Sequence, residues 1–453
     1  MKISALACAA AAALLAGCGQ DSAAPAPDSR PNILIIVADD IGWKDVGFHD
    51  SEVLSPNLDR LAEEGVELSS FYVFPTCSPT RAALMTGRPP TRFGIRGPLQ
   101  YRSDHGLPAG TPTLAAHFRD AGYDTAISGK WHLGMKPERG PNNYGFNHTY
   151  GYVGPWLDSY THLSTDFLDT FDGIRQWHRN GELFDEEGHV TDLVTAEAVR
   201  FLTDIRDKSK PFLLYLPYSA PHTPCQEPGE WLELYDGVIE STSRKYFAAA
   251  ITHMDDGIGK VREALAAEGV AENTIILFFS DNGGSRGGDH THWLVPPRQY
   301  YMSYGSTEVL GNNLPLRGWK GQLYEGGIRV PALIHWPSRL EAGENPTPIQ
   351  VCDVIPTLSA AAGIETPVDA SVEGVNMWGA LTGEAPPERT FYWAHSSDQA
   401  VRQGDWKLIK GRETGLFNLA DDPYETKDLS SSQPEVVKRL TAELERNLAL
   451  DAR

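Results

Sequence analysis

The chain has 453 residues, 41% of them hydrophobic and 22% charged, and a formal net charge of −21. That length can bury one large core and a smaller one, and the composition is that of a globular protein. The acidic balance argues against a general nucleic-acid binder, which needs a basic face. It leaves an anionic substrate open, because exposed charges are screened beyond roughly 8–10 Å at ordinary salt and a local basic pocket can dominate. No internal repeat, coiled coil or membrane-spanning stretch is visible.

Residues 1–18 are a separate message. Lys2 is followed by the apolar run ISALACAAAAALLAG and then Cys18, too short and too abruptly ended for a spanning helix. Leu15-Ala16-Gly17-Cys18 resembles a bacterial lipobox, which implies cleavage before Cys18, lipid on Cys18 and a membrane-anchored protein outside the cytoplasm. An ordinary secretory signal is the alternative. Residues 19–30 are small, polar and proline-containing, as a tether would be.

Four apolar runs predict buried strands: NILIIVA (32–38), DTAIS (124–128), FLLYLP (212–217) and TIILFFS (274–280). Helical patterns separate them at 56–65, 113–122, 189–207 and 242–269, the first two ending at glycine. This alternation predicts an α/β fold with a mostly parallel sheet covered on both faces. From about residue 350 the texture changes. A helix at 353–364, strand-like pieces at 391–395 and 405–411, and a terminal helix at 434–450 predict a smaller α+β domain with an antiparallel sheet. The expected units are a catalytic domain over 31–350 and a C-terminal subdomain over 351–453.

Polar clusters follow each strand: Asp39-Asp40, Gly129-Lys130-Trp131-His132, Ser219-Ala220-Pro221-His222 and Asp281-Asn282-Gly283-Gly284. In open parallel sheets, ligands bind beyond the carboxyl ends of strands, so the four clusters are expected to converge. Asp39, Asp40, Asp281 and Asn282 offer only oxygen. Two like charges about 4 Å apart repel by roughly 4 kcal/mol at an effective dielectric of 20. Such a group needs a cation or a shared proton, and oxygen ligands favour calcium or magnesium over zinc; helix-capping carboxylates are the plainer reading. Asp255-Asp256 is a paired acid inside a helix and reads as structural or solvated. Arg81, Lys130, His132, His222 and Lys320 together suit a tetrahedral oxyanion. Arg88, Arg92, Arg96 and Arg102 form either an anion funnel or a solvated loop.

Of five cysteines, Cys8 and Cys18 belong to the leader, leaving Cys77, Cys225 and Cys352. Three is odd, so at least one is unpaired. Cys225 and Cys352 read as buried small hydrophobes or as partners of each other. Cys77 lies at the expected start of a helix, four residues before Arg81. It fits neither a cysteine-peptidase pattern nor a cysteine-phosphatase loop, which places five residues between Cys and Arg.

CSPTRAALMTG (77–87) resembles the C-x-P-x-R signature of the formylglycine-dependent sulfatases, and GYDTAISGKWH (122–132) their second signature. ADDIGWKDVGFH, APHTP, SDNGG, LRGWKGQLYEGGIRVP and LFNLADDPYE extend the likeness over roughly residues 31–430. GFHDS, GKWHLGM, GFNHTYGY and GNNLPLRG are most similar to the arylsulfatase B group, which removes 4-sulfate from N-acetylgalactosamine. The resemblance implies an alkaline-phosphatase-like α/β sandwich. It also implies that a formylglycine-generating enzyme oxidises Cys77 to Cα-formylglycine. Asp39, Asp40, Asp281, Asn282 and the residue-77 oxygen would hold one calcium. Arg81 and His132 would stabilise and deprotonate the aldehyde hydrate. Lys130, His222 and Lys320 would contact sulfate, with His222 or Lys320 near the leaving oxygen, in a two-step covalent mechanism. The expected substrate is a sulfated carbohydrate. The rival readings are a formylglycine-dependent phosphonate or phosphodiester hydrolase and a non-catalytic glycan-binding lipoprotein. A longer segment at 285–310 carries His290, His292, Trp293 and Arg298, expected either to line a sugar pocket or to form a surface excursion.

Overall fold

The protein is represented by a computed structural model that describes residues 29–101, 103–164, 174–286, 310–366 and 372–452. The four expected strands form as β1 (Asn32–Ala38), β2 (Asp124–Lys130), β3 (Phe212–Pro217) and β4 (Thr274–Ser280). Nearly every residue in them is buried, which explains why their sequences do not alternate. They lie side by side in the order β4-β1-β3-β2, all parallel, with Ile33 opposite both Leu213 and Ile275.

Further strands widen the sheet to ten among the described residues. His148–Tyr152 joins β2 in parallel, followed by antiparallel Trp177–Arg179 and Glu182–Leu183. Beyond β4 lie antiparallel Ala332–His335, then Val66–Leu68 and Gly343–Asn345. These outer strands escape a sequence reading because they are short and partly polar.

Alternate β1 residues serve two cores. Ile33, Ile35 and Val37 pack on the face that holds helices α2 (Cys77–Thr86), α3 (Leu114–Asp120) and α6 (Val354–Ala361). Leu34, Ile36 and Ala38 pack on the opposite face, with α1 (Pro56–Glu64), α4 (Val190–Arg200) and α5 (Thr242–Ala267). The helix expected over 189–207 ends as α4 and continues in a π turn, Phe201–Ile205. Asp255 is structural, accepting from the Asn57 and Leu58 N–H groups at the start of α1, and Asp256 pairs with Lys260.

The C-terminal strands β5 (Thr390–His395), β6 (Asp398–Gln403), β7 (Trp406–Lys410) and β8 (Gly415–Asn418) form an antiparallel meander. One face takes Leu440 and Leu444 of α7 (Pro434–Leu448). The other, with Phe391, Trp393 and Ile409, joins the large core. Among the described residues no helix is long and apolar enough to cross a membrane. The leader and the tether up to residue 28 lie outside them. Cys77, Cys225 and Cys352 are all buried and unpaired, so Cys225 and Cys352 do not pair with each other.

Candidate active site

The polar clusters converge because they sit at the carboxyl ends of adjacent parallel strands. β1 delivers Asp39 and Asp40, β2 ends on Lys130, β3 runs into the loop bearing His222, and β4 delivers Asp281 and Asn282. Arg81 enters from α2 with 1% exposure. Its Nε and Nη2 donate to Asp281 Oδ2 at 3.0 and 2.8 Å, its Nη2 reaches Asp39 at 3.4 Å, and its Nη1 donates to the Lys130 carbonyl at 3.0 Å. Lys130 Nζ donates to Asp39 at 2.5 Å, and Lys320 Nζ to both Asp40 oxygens at 2.6 and 2.8 Å. Arg81, Lys130, Lys320, Asp39, Asp40 and Asp281 are thus brought into one network.

Backbone geometry makes this crowding possible. Asp40 and His132 hold left-handed φ values of 84° and 54°; such strained conformations cluster at working sites. A Cβ on Gly283 would lie 1.8 Å from the Gly326 carbonyl, so glycine alone lets the Asn282 loop and the Lys320 loop touch. The Gly283 N–H donates to the Gly327 carbonyl across that contact.

Two histidines are held by backbone carbonyls. His132 Nε2 donates to the Leu99 carbonyl at 2.9 Å, leaving Nδ1 buried and without a partner. His222 Nδ1 donates to the Thr223 carbonyl at 2.6 Å and turns Nε2 toward Asp40. Burial and then the neighbouring Lys320 push His222 down to about 4. Burial and Lys130 push His132 well below the ordinary histidine value. Both rings are therefore neutral at pH 7. Burial favours protonated Asp39, but the Lys130, Arg81 and Lys320 cations outweigh it and hold the carboxyl far below the usual range. Burial and the Asp39 charge push Asp281 up.

The donor set fits a hard cation. Asp39 Oδ1, Asp281 Oδ1 and Asn282 Oδ1 are buried and take no hydrogen bond. Atoms of Asp39, Cys77 and Asp281 lie within 4.8 Å of one another, as do atoms of Asp39, Asp40 and His222. Three orphaned buried oxygens in one place cost several kcal/mol without a partner, and a hard divalent cation held by them would supply one. Cys77 is the first residue of α2 and is 2% exposed. Burial pushes its thiol up despite Lys130 and Lys320, so an unmodified Cys77 is not a thiolate here.

The profile of the sulfatase family matches residues 31–364, and that of the N-sulphoglucosamine sulphohydrolase C-terminal region matches residues 318–450. The chain belongs to the sulfatase family. The enzyme is a sulfuric-ester hydrolase. It is 30% identical to mouse (Mus musculus) arylsulfatase J, over 93% of this chain and 76% of that one. It is 31% identical to human (Homo sapiens) N-acetylgalactosamine-6-sulfatase, over 85% and 72%. Its fold follows the crystal structure of Ps i-CgsB with a TM-score of 0.82 at 34% identity, covering 93% of this chain and 94% of that one; Ps i-CgsB has also been solved with k-i-k-neocarrahexaose.

The other sequence expectations divide. Arg92 binds Glu373 and Asp451, Arg96 binds Asp451 and Arg88 binds Glu373. These three guanidinium groups are thus occupied in fastening the C-terminal segment, which argues against the funnel; Arg102 lies outside the described residues. So do His290, His292, Trp293 and Arg298. Sequence reading missed Tyr215 and Tyr152, both buried within electrostatic reach of Arg81 and Asp39. The only sign of Tyr215 was a phenol hydroxyl inside an otherwise apolar strand. The Leu99 carbonyl that orients His132 had no sign at all.

Proposed function

We propose that this sulfatase removes sulfate from a sulfated carbohydrate, using Cα-formylglycine at position 77 and one calcium ion held by Asp39, Asp40, Asp281 and Asn282. The orphaned carboxylate and amide oxygens beside Cys77 carry this reading. When present, the hydrated aldehyde supplies the nucleophilic oxygen and the cation lowers the cost of negative charge. Arg81 lies between Asp281 and Asp39 and fixes the geometry around residue 77. His132 Nδ1 is free to take a proton, because its Nε2–H is committed to the Leu99 carbonyl. Lys130 and Lys320 set positive charge where sulfate oxygens arrive. An arriving anion favours protonated His222, so its Nε2–H and the Lys320 ammonium meet the ester oxygen as it leaves.

The neocarrahexaose complex of Ps i-CgsB supports a carbohydrate substrate, since carrageenan is a sulfated galactan. The narrower reading, 4-sulfate on N-acetylgalactosamine, rests on the arylsulfatase B-like blocks alone. His290, His292, Trp293 and Arg298 are proposed sugar contacts, and the lipobox-like LAGC supports anchoring through Cys18. Sulfate release from defined sulfated carrageenan and glycosaminoglycan oligosaccharides, with Cys77→Ala as control, tests the substrate class. Mass spectrometry of the residue-77 peptide tests the aldehyde. A thiol throughout, or faster hydrolysis of phosphodiesters than of sulfate esters, would overturn the proposal.

A further inference from the structure

His253 lies in the middle of α5, 1% exposed and away from the residues given roles above. Its Nδ1 stands 2.7 Å from Glu227 Oε2 and its Nε2 3.1 Å from Asp192 Oδ1. Ionised carboxylates only accept, so both ring nitrogens carry hydrogen and the ring is an imidazolium. Trp231 stacks on it with centroids 4.8 Å apart, and the His189 ring lies 4.8 Å away on another side. Glu227 is 4% exposed, and the His189 ring nitrogen Nε2 lies 3.7 Å from its other oxygen.

Glu227 closes the loop that carries His222. Between the two, Cys225 Sγ–H donates to the Pro221 carbonyl, and the Gln226 side chain accepts from the Ser159 N–H and donates to Asp158. A pull on Glu227 therefore reaches His222 through a laced segment. We propose that His253 is a positioning residue: its imidazolium ties Glu227 to Asp192 on α4 and so fixes the placement of His222 at the leaving oxygen. Without that charge, a buried carboxylate is left without its partner, and the loop end moves toward water. The titratable groups facing the ring are Glu227 from the loop, Asp192 from α4 and the His189 ring just before α4, with Lys260 of α5 acting on Asp192. The carboxylates outweigh burial and push His253 up to about 9.

Atoms of His189, Asp192 and His253 also lie close enough to hold a metal ion. The hydrogen bonding favours a proton instead. His189 Nδ1 accepts the Thr191 N–H, which places its own hydrogen on Nε2, and both His253 nitrogens already face carboxylates.

The proposal rests on the sulfatase reading, and aryl sulfates separate the two. Phenol, with a pKa of about 10, leaves poorly without a proton, whereas 4-nitrophenolate needs little help. In protein shown to carry formylglycine, His253→Gln and Glu227→Gln are each expected to lower kcat on phenyl sulfate about tenfold more than on 4-nitrophenyl sulfate. KM should change less than about twofold, as for a group acting on the departing oxygen rather than on binding. Circular dichroism confirms folding, and two variants guard against loss of either one. Equal losses on both esters, or unchanged rates in folded variants, overturn the clamp. So does a stoichiometric metal ion that is present in the wild type and lost in His253→Gln. If the wild type cleaves neither these esters nor the sulfated oligosaccharides, the sulfatase reading falls first and takes the clamp with it.

Discussion

Replacing Lys407 with methionine tests how the C-terminal meander supports the catalytic loop. Lys407 is fully buried on β7, its ammonium 2.8 Å from Glu325 Oε1 and 2.9 Å from Glu425 Oε1. Glu325 lies five residues beyond Lys320, and its N–H donates to Glu425 Oε2 at 2.7 Å. At these distances each attraction is on the order of 6 kcal/mol at an effective dielectric of 20. Desolvation cancels most of that in the intact triad. Removing the cation alone leaves two buried carboxylates offset only by the Tyr72 hydroxyl and by Arg402 and Arg329, which act on Glu325. The net loss is then about 3–5 kcal/mol. With an unfolding entropy of roughly 2.1 cal/mol/K per residue, a chain of this size loses about 3–6 °C in Tm.

The loss should also depend on pH. Glu425 is already pushed up, by burial and by Glu325, and Glu325 is held down chiefly by Lys407. Without Lys407 one of the two carboxyls binds a proton in the fold that it would not bind unfolded. A carboxyl raised in this way costs nothing below its unfolded pKa and costs progressively more as pH rises through its folded one. Differential scanning calorimetry at pH 5.5 and pH 8 should therefore find the larger deficit at pH 8. Lys407→Met/Glu425→Gln should recover part of it. A deficit below about 1 kcal/mol, or one equal at both pH values, would refute this account of the triad.

Three further outcomes are expected. Calcium added to metal-stripped protein at about 100 times its Kd should stabilise the fold by about 2.7 kcal/mol; Asp281→Asn should abolish the effect in a thermal melt, and an unchanged response would remove Asp281 from the ligand set. Gly283→Ala, which drives a methyl group into the Gly326 carbonyl, should cut kcat/KM for sulfate esters by about 100-fold or more, the scale of a 1 Å misplacement; near wild-type activity would show that the two loops separate freely. Burial pushes His178 down to about 4, so between pH 6.5 and pH 4 the unfolded chain takes up a proton that the fold refuses. Stability should fall through that window by up to roughly 1.4 kcal/mol per pH unit, and His178→Gln should flatten the slope in urea titrations.

Much of the site was legible in the sequence, because its chemistry is punctuated by strands. NILIIVA, FLLYLP and TIILFFS are buried on both faces and so read as unbroken apolar runs, and the polar residues after them stand out by contrast. A parallel sheet then brings those ends to one edge. For that reason Asp39, Asp40, Lys130, His222, Asp281 and Asn282 could be grouped before any coordinate was known. Cys77 and Arg81 were legible as a signature, and the odd cysteine count marked Cys77 as unusual.

Tertiary structure decided what depends on partners distant in the chain. The arginine run could read as a funnel because its acids, Glu373 and Asp451, lie some 280 to 360 residues away. Asp255-Asp256 resembles Asp39-Asp40 in sequence, yet the first pair divides between a helix start and a lysine while the second meets buried Lys130 and half-buried Lys320. The His253 and Lys407 networks, and the carbonyls that fix which nitrogen of His132 and His222 is free, are non-local hydrogen bonds without a periodic trace. Local pattern determined which groups reach the sheet edge; long-range packing in a low dielectric determined which are paired, which are left open, and so which are free for chemistry.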